Sequence, residues 1–368
     1  MNNSHAIDVV IPSFRLDEHI LIPIIDLKKP EKYDIHIYIV ADNPNATIPS
    51  KINELSKQGR IHLIINDVNL GFSATRNKGI QAGNSKWILL LDDDIVPDEK
   101  LLYAYTNVIE KNANAIGFIG VTDFPPPFNS ATKALTINGS TAHFNIARQK
   151  TRMKWAPTAN IMLNREKLTS PMFDKNLKKG GEDIEFLVRN SLVNNDEYIS
   201  VPDAIVVHPW WNSGKMQTGR MIRYGIGAAE IANLPAIRPY TYIDFTNSSE
   251  TLLLLLLLAI PASICGFLKI ILIFMLAIVL SEFITNFIRT IKDTKTINFD
   301  IAWRLMAIKN IYEIGQLWGN LRMGHLNGFS RRIDMSFKKA SPSWFRLNRW
   351  KIIKLLLIAI IIIAAISL

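Results

Sequence analysis

Short apolar runs rich in Ile and Val recur through the first 120 residues: Ile7–Ile11, Ile35–Val40, Ile61–Ile65, Trp87–Leu91 and Ile116–Val121. They are continuous rather than alternating, as expected of strands covered on both faces. Stretches of helical period separate them, among them Ser73–Ala82 and Asp98–Lys111. This β-α-β-α order predicts an α/β fold with a mostly parallel, Rossmann-like sheet and helices on both faces. Ligands of such sheets bind at the carboxyl ends of the strands. Pro12-Ser13, Asp42-Asn43 and Asp92-Asp93-Asp94 all fall at those ends.

The pattern weakens over residues 123–157, which open on Pro125-Pro126-Pro127 and predict a functional loop or lid. A strand at Thr158–Leu163, a helix opening near Glu182, a strand at Ala204–Val207 and a basic helix from Gln217 to Ala232 are predicted next. From Leu252 to Phe287 only Lys269 and Glu282 are charged. As one helix this stretch would measure about 54 Å, against about 30 Å of hydrocarbon. Two short spans turning around Pro261–Lys269, with Gly266 as breaker, fit better, although spans this short leave open a hairpin that does not cross. Ile352–Leu368 is a third apolar run, entered through Trp344, Arg346, Arg349, Trp350 and Lys351, an interfacial belt. Between them, Phe299–Arg322 sets Ile301, Leu305, Ile308, Tyr312 and Leu321 near one face, opposite Arg304, Lys309 and Glu313. That pattern suits either an interfacial amphipathic helix or a helix packed on the preceding domain. The expected organisation is therefore a globular domain over residues 1–240, a transmembrane hairpin over 251–288, a basic helical segment over 289–350 and a transmembrane helix over 351–368.

Charge sharpens the membrane reading. The formal net charge is +10, and residues 289–354 hold 14 Lys/Arg against 4 Asp/Glu, so the entire excess lies beside the apolar segments. A cytosolic segment facing anionic lipid has this bias, and nucleic acid is not an expected partner. The N-terminus lacks a basic region followed by an apolar one, so no signal peptide is expected and the first domain should be cytosolic. A single cysteine, Cys265, precludes an internal disulfide.

Three adjacent carboxylates delivered by an apolar strand repel one another unless a hard divalent cation balances them. Alternation along the strand sends Asp92 and Asp94 one way and Asp93 the other. By itself this is also the composition of an acidic turn. It has company, however: Ile11-Pro12-Ser13-Phe14-Arg15 closes the first strand and Val40-Ala41-Asp42-Asn43 the second. Asn69-Leu70-Gly71-Phe72-Ser73-Ala74-Thr75-Arg76-Asn77 precedes the acidic strand, and Gly180-Gly181-Glu182-Asp183-Ile184-Glu185-Phe186 follows about 90 residues later.

In the order and spacing of these four motifs the chain resembles glycosyltransferase family 2, with its GT-A fold, over about residues 5–235. The resemblance implies a nucleotide pocket lined by Pro12 and Arg15, with Asp42 at the base and Arg76 at base or diphosphate. Asp92 and Asp94 would hold ribose and a divalent cation (Mn²⁺ or Mg²⁺), with Asp93 beside them and Asp183 as general base. In relatives a histidine at the position of His208, which ends Val206-Val207-His208-Pro209-Trp210-Trp211, completes the metal shell; an ordinary structural histidine fits the same pattern. Glu182, Trp210, Trp211, Arg220 and Arg223 are candidate acceptor or diphosphate contacts, each with a packing or solvated alternative. Trp155 suits core better than a sugar-stacking role. Gln217-Thr218-Gly219-Arg220-Met221 resembles the Gln-x-x-Arg-Trp motif of processive synthases without its tryptophan, which disfavours processivity.

The resulting expectation is an inverting, metal-dependent transferase in the inner or plasma membrane, multi-pass, with a cytosolic catalytic domain. It would move sugar from a nucleotide-diphosphate donor to a lipid-linked or glycan acceptor, with anionic lipids as further partners. A polyprenyl-phosphate glycosyltransferase and a non-catalytic membrane scaffold are the alternatives. A transporter is disfavoured by too few spans and no expected buried charge pair within them.

Overall fold

The computed structural model describes residues 5–340 and 345–367 and resolves two compact units. Residues 1–4, Trp344 of the expected belt and Leu368 of the expected far end lie outside the described residues.

The first unit comprises residues 1–126 and 141–210. Its strands are β1 (Ala6–Ser13), β2 (Asp34–Ala41), β3 (His62–Ile65), β4 (Trp87–Leu91), β5 (Val96–Pro97), β6 (Gly117–Asp123), β7 (Arg152–Met153), β8 (Asn160–Asn164) and β9 (Tyr198–Val207). They form one sheet in the order β3-β2-β1-β4-β8-β6-β9-β5, with β7 on β9. The β1–β2, β2–β3, β1–β4 and β6–β9 pairings are parallel, while β8 runs antiparallel to both neighbours. Helices α1 (Glu18–Ile25), α2 (Ser50–Lys57), α3 (Phe72–Ala82), α4 (Leu101–Lys111) and α6 (Glu182–Asn194) belong to this unit; α5 (Ser130–Asn138) does not. Every residue of β4 is buried, as its uninterrupted apolar run requires.

Two details fix the carboxyl edge. Chain order reverses between β1 and β4, so the crevice at a topological switch point opens beside Ser13 and Asp92. Helix α3 approaches β1 and β2 so closely that a Cβ at Gly79 would collide with Val10 and Val40, which brings Arg76 in toward that crevice. Below it, Asp8 is fully buried and accepts from Arg165 Nη2 (2.7 Å), Ser85 N (2.9 Å) and Ser85 Oγ (2.6 Å).

The second unit comprises residues 127–140 and 211–368. It holds α5, α7 (Thr218–Ile231), a two-stranded antiparallel sheet of β10 (Thr241–Ile243) and β11 (Arg331–Ile333), α8 (Ser248–Ile264), α9 (Leu268–Thr294), α10 (Phe299–Arg322) and α11 (Arg349–Ser367). The hairpin turns where the sequence predicts, at Gly266 with φ +80°. Helices α9 and α11 are long and apolar enough to cross a membrane; α8 is shorter. Helix α10 packs on α7 at Gly225, Gly315 and Gly319, where a Cβ would meet the opposing backbone or Ala229. This close crossing depends on small residues in both helices.

Several sequence expectations are corrected. Residues 123–157 are not simply a loop: α5 lies within them, held by a capping box between Asn129 and Thr132 that outweighs its weak apolar periodicity. The expected apolar face of α10 is buried at Ile301, Leu305 and Ile308, but Leu321 is exposed and Glu313, expected opposite, is buried. The apolar helices do contain a buried charge pair. Glu282 of α9 meets Lys354 of α11 at 2.6 Å, with both side chains at least 95% buried. Part of the basic surplus is likewise spent internally, in Arg332–Glu250 (3.2 Å), Arg346–Asp334 (2.6 Å) and Lys351–Asp244 (2.8 Å).

Candidate active site

The acidic triplet stands just past β4, in a turn rather than on the strand. Asp93 is held by both sides of the crevice: Ser13 Oγ donates to its Oδ2 (2.7 Å) and Arg15 Nη2 to its Oδ1 (3.1 Å). Arg15, half exposed, also pairs with Asp94 at 3.2 Å. Ser13 appeared in the sequence only as part of a motif. Its hydroxyl, which also accepts from Leu16 N (3.0 Å), is what ties the turn to β1. With Asp93 engaged, Asp92 and Asp94 are left facing His208; the turn, and not strand alternation, sets this arrangement.

Asp92, Asp94 and His208 each offer one ligand atom within 4.8 Å of the others. His208 follows β9, is buried, and places Nε2 3.2 Å from Asp94 Oδ1. Its Nδ1 lies 2.6 Å from the carbonyl oxygen of Pro209. A carbonyl only accepts, so Nδ1 carries a proton and Nε2 is the ring nitrogen turned toward the two aspartates. Phe124 stacks on the imidazole at 5.1 Å and fixes its plane. Two carboxylates and an imidazole nitrogen fit a divalent cation.

Arg76, from α3, links this group to α6. Its guanidinium is almost fully buried and donates from Nη2 to Asp92 Oδ1 (3.3 Å) and from Nη1 to Glu182 Oε1 (3.0 Å). Glu182 and Asp183 open α6, whose N-cap Gly181 has φ +92°, a backbone state that favours glycine. Carboxylates in a first turn are favoured by the helix dipole. Even so, burial raises the pKa of both Glu182 and Asp183; Asp183 raises that of Glu182 further, Asp92 raises that of Asp183, and Arg76 opposes both. Asp183 Oδ1 accepts from Ile184 N at 2.8 Å.

The other predicted positions are distributed as follows. Pro12 sits at the carboxyl end of β1, in register with Val40. Asp42 is buried, with its carboxylate accepting from Leu70 N (2.8 Å), Gly71 N (2.8 Å) and Asn66 Nδ2 (2.8 Å), so it fastens the 69–73 loop. That loop and Lys175 and Lys178 line a pocket of about 220 Å³; the two lysines carry no local sequence signal beyond their charge. Trp210 is buried, donating Nε1–H to Pro125 O at 3.0 Å. Trp155 is buried against His143, whose pKa burial lowers to about 4. Trp211, Arg220 and Arg223 belong to the second unit, where Arg220 lies 5.0 Å over the Trp211 ring.

Residues 8–169 match the model of glycosyl transferase family 2, a span that contains all of these β1–β4 motifs. Over these residues the chain is similar to glycosyl transferase family 2. The sheet described above, with its helices, gives the first unit the α/β class that the sequence predicts. No curated protein matches the chain. Among solved structures it is similar to S. aureus TarS, at 13% identity and TM-score 0.40, over 62% of this chain and 40% of that one. It is also similar to GalNAc-T7 solved with UDP, GalNAc and Mn2+, at 16% identity and TM-score 0.47, over 67% of this chain and 51% of that one. The chain thus spans about half or less of those proteins. Asp183 and His208 lie beyond the matched residues.

Proposed function

We propose that this protein is an inverting glycosyltransferase, using a nucleotide-diphosphate sugar and acting at the cytosolic face of a membrane on a lipid-linked glycan acceptor. The observation that carries the reading is the convergence of Asp92, Asp94 and His208 in a crevice joined through Arg76 to the buried acidic start of α6. A divalent cation held by Asp92, Asp94 and His208 would offset the charge of the leaving diphosphate. Arg15, Asp93 and Ser13 fix the turn that presents those ligands.

Asp183 is the base. Its raised pKa makes it a stronger proton acceptor than an ordinary carboxylate. The acceptor hydroxyl oxygen forms a bond to the anomeric carbon as the bond from that carbon to the diphosphate oxygen breaks. The electron pair leaves with the nucleoside diphosphate, and the hydroxyl proton passes to Asp183. One displacement inverts the anomeric centre. Arg76 and Glu182 hold Asp92 and α6 in place, and the pocket at Asn69–Ser73 with Lys175 and Lys178 offers cations for an anionic donor. The apolar helices α9 and α11 support membrane attachment, which brings a lipid-linked acceptor within reach.

The test is transfer from a panel of nucleotide sugars to lipid extracts in the presence of Mn²⁺ or Mg²⁺, comparing wild type with Asp183→Asn. Loss of at least about 10²-fold in turnover with donor binding retained is expected of a missing general base. Full turnover by Asp183→Asn would refute the mechanism. An acid-labile sugar–phosphate–lipid product would reassign the acceptor to a polyprenyl phosphate.

A further inference from the structure

The buried polar residues of the second unit mark how deep its apolar helices sit. Lys354 Nζ donates to Glu282 Oε2 (2.6 Å), Ser248 Oγ (2.7 Å) and Thr246 O (2.7 Å). Ser248 Oγ donates in turn to Glu282 Oε2 (2.8 Å), and Lys309 Nζ binds Glu282 Oε1 (2.7 Å). Ser248 N donates to Glu313 Oε2 at 3.1 Å. The start of α8, the middle of α9 and the second turn of α11 therefore share one level, a charged girdle. On the side from which α8 and α11 emerge lie β10 and β11 and the pairs Lys351–Asp244 and Arg346–Asp334, and Arg332–Glu250 adjoins the girdle itself. Irregular backbone and charges of this density do not lie in hydrocarbon against lipid. Hydrocarbon contact therefore begins at about the girdle. Trp350, one turn before Lys354, carries Arg349 and Lys292 against its ring at 4.9 and 5.5 Å, an aromatic–basic set suited to anionic headgroups.

Beyond the girdle three arms remain. At about 1.5 Å per residue, Ser248–Ile264 reaches roughly 24 Å, Glu282 back to Leu268 roughly 21 Å, and Lys354–Ser367 roughly 20 Å. The hydrocarbon core is about 30 Å thick. The arms are apolar and outward-facing, as at Leu257, Ile264, Phe267, Leu272 and Ile363. Past Glu250, which is buried against Arg332, Lys269 is the single charge of the arms among the described residues, near the tip, where a long side chain extends toward far headgroups.

Building on the membrane attachment proposed above, we propose that the α8–α9 hairpin enters the bilayer from one side and stops within it. The α8–α9 turn does not emerge on the far face. The start of α8 and the end of α9 then lie at the same face, in place of the two crossings that hydropathy predicts. The partner is a phospholipid bilayer with anionic headgroups at the girdle.

The chain carries its own reporter, since its only cysteine, Cys265, is exposed at the tip of the hairpin. Full-length protein would be reconstituted into sealed dioleoyl phosphatidylcholine/phosphatidylglycerol vesicles and isolated by flotation. A membrane-impermeant maleimide, added outside or trapped inside, should leave Cys265 unlabelled until detergent is added. Thr296→Cys in a Cys265→Ser background, on an exposed turn, should label in sealed vesicles from its own side. A nitroxide attached to Cys265 in detergent before reconstitution should show the high oxygen-to-nickel accessibility of the hydrocarbon interior. Labelling of Cys265 from the face opposite Thr296→Cys, or a nitroxide at far-headgroup depth, overturns the proposal while leaving membrane attachment intact. Failure of the protein to float with vesicles overturns the attachment itself.

Discussion

Replacing Arg76 by Met removes the one cation shared by Asp92 and Glu182 while keeping an apolar stem of similar reach. The lost attractions act over 3.0 and 3.3 Å between side chains that are only 9% exposed at Arg76 and Glu182 and 28% at Asp92. At an effective dielectric of about 20, one such pair is worth roughly 5 kcal/mol gross. Part of this is returned because the guanidinium no longer loses its hydration, so a net destabilisation of about 3–5 kcal/mol is expected, as for breaking other buried pairs. For a domain of this size that is a fall in Tm on the order of 10 °C. The loss has a pH signature. Burial already raises the pKa of Glu182 and Asp183, and removing Arg76 raises both further. A raised carboxylate pKa means that the folded state binds the proton more tightly than the unfolded state. The variant should therefore lose stability as pH rises above the ordinary carboxylate range and recover it on acidification through that range. Adding Glu182→Gln to Arg76→Met should restore about half of the deficit at pH 8, because one stranded charge is gone. Scanning fluorimetry of the full chain at pH 5, 6.5 and 8 reads all three effects. An Arg76→Met protein melting within about 2 °C of wild type at pH 8, with Glu182→Gln simply additive, would refute the pairing.

Three further outcomes follow from the same geometry. His208→Gln removes an imidazole ligand and should weaken Mn²⁺-dependent thermal stabilisation, with at least about 10-fold higher metal needed for the same shift; an unchanged Mn²⁺ titration would exclude His208 from the shell. His143, held neutral by burial with a pKa of about 4, binds its proton more weakly folded than unfolded. Its contribution is intact above the ordinary histidine range near 6.5 and is lost as pH falls toward 4, by up to about 3 kcal/mol, and His143→Gln should flatten that slope in urea unfolding. Gly315→Val sets a side chain into the backbone of Ile222 across the α7–α10 crossing and should cost roughly 1–3 kcal/mol or more, whereas Gly219→Ala, in open space, should cost little by the same melting assay.

The elements of the first unit were legible because their signals are local. A continuous Ile/Val run is read within five residues, and β4 spans the predicted Trp87–Leu91 without change. Helices α6 and α10 begin where the sequence predicts, at Glu182 and Phe299. The motif residues at strand ends were legible for the same reason: in a parallel sheet, the end of a strand is also the edge of the site. Helix α5 was not, since its capping box competes with a proline run and a weak apolar period.

The sequence by itself determined that the first strands would pair in parallel, that the motif residues would gather at their carboxyl ends, and that the apolar helices would turn near Gly266. Only the tertiary structure decided which charges pair. Arg76 meets Glu182 across 106 residues, and Lys354 meets Glu282 across 72. Nothing in the neighbourhood of either residue encodes its partner, because a charge is balanced by whatever side chain the packing of distant elements brings within about 3 Å. The proton on Nδ1 of His208 is likewise set by one carbonyl at Pro209. The depth of the apolar arms follows from a polar girdle that spans four helices, which no reading of hydropathy along one of them contains.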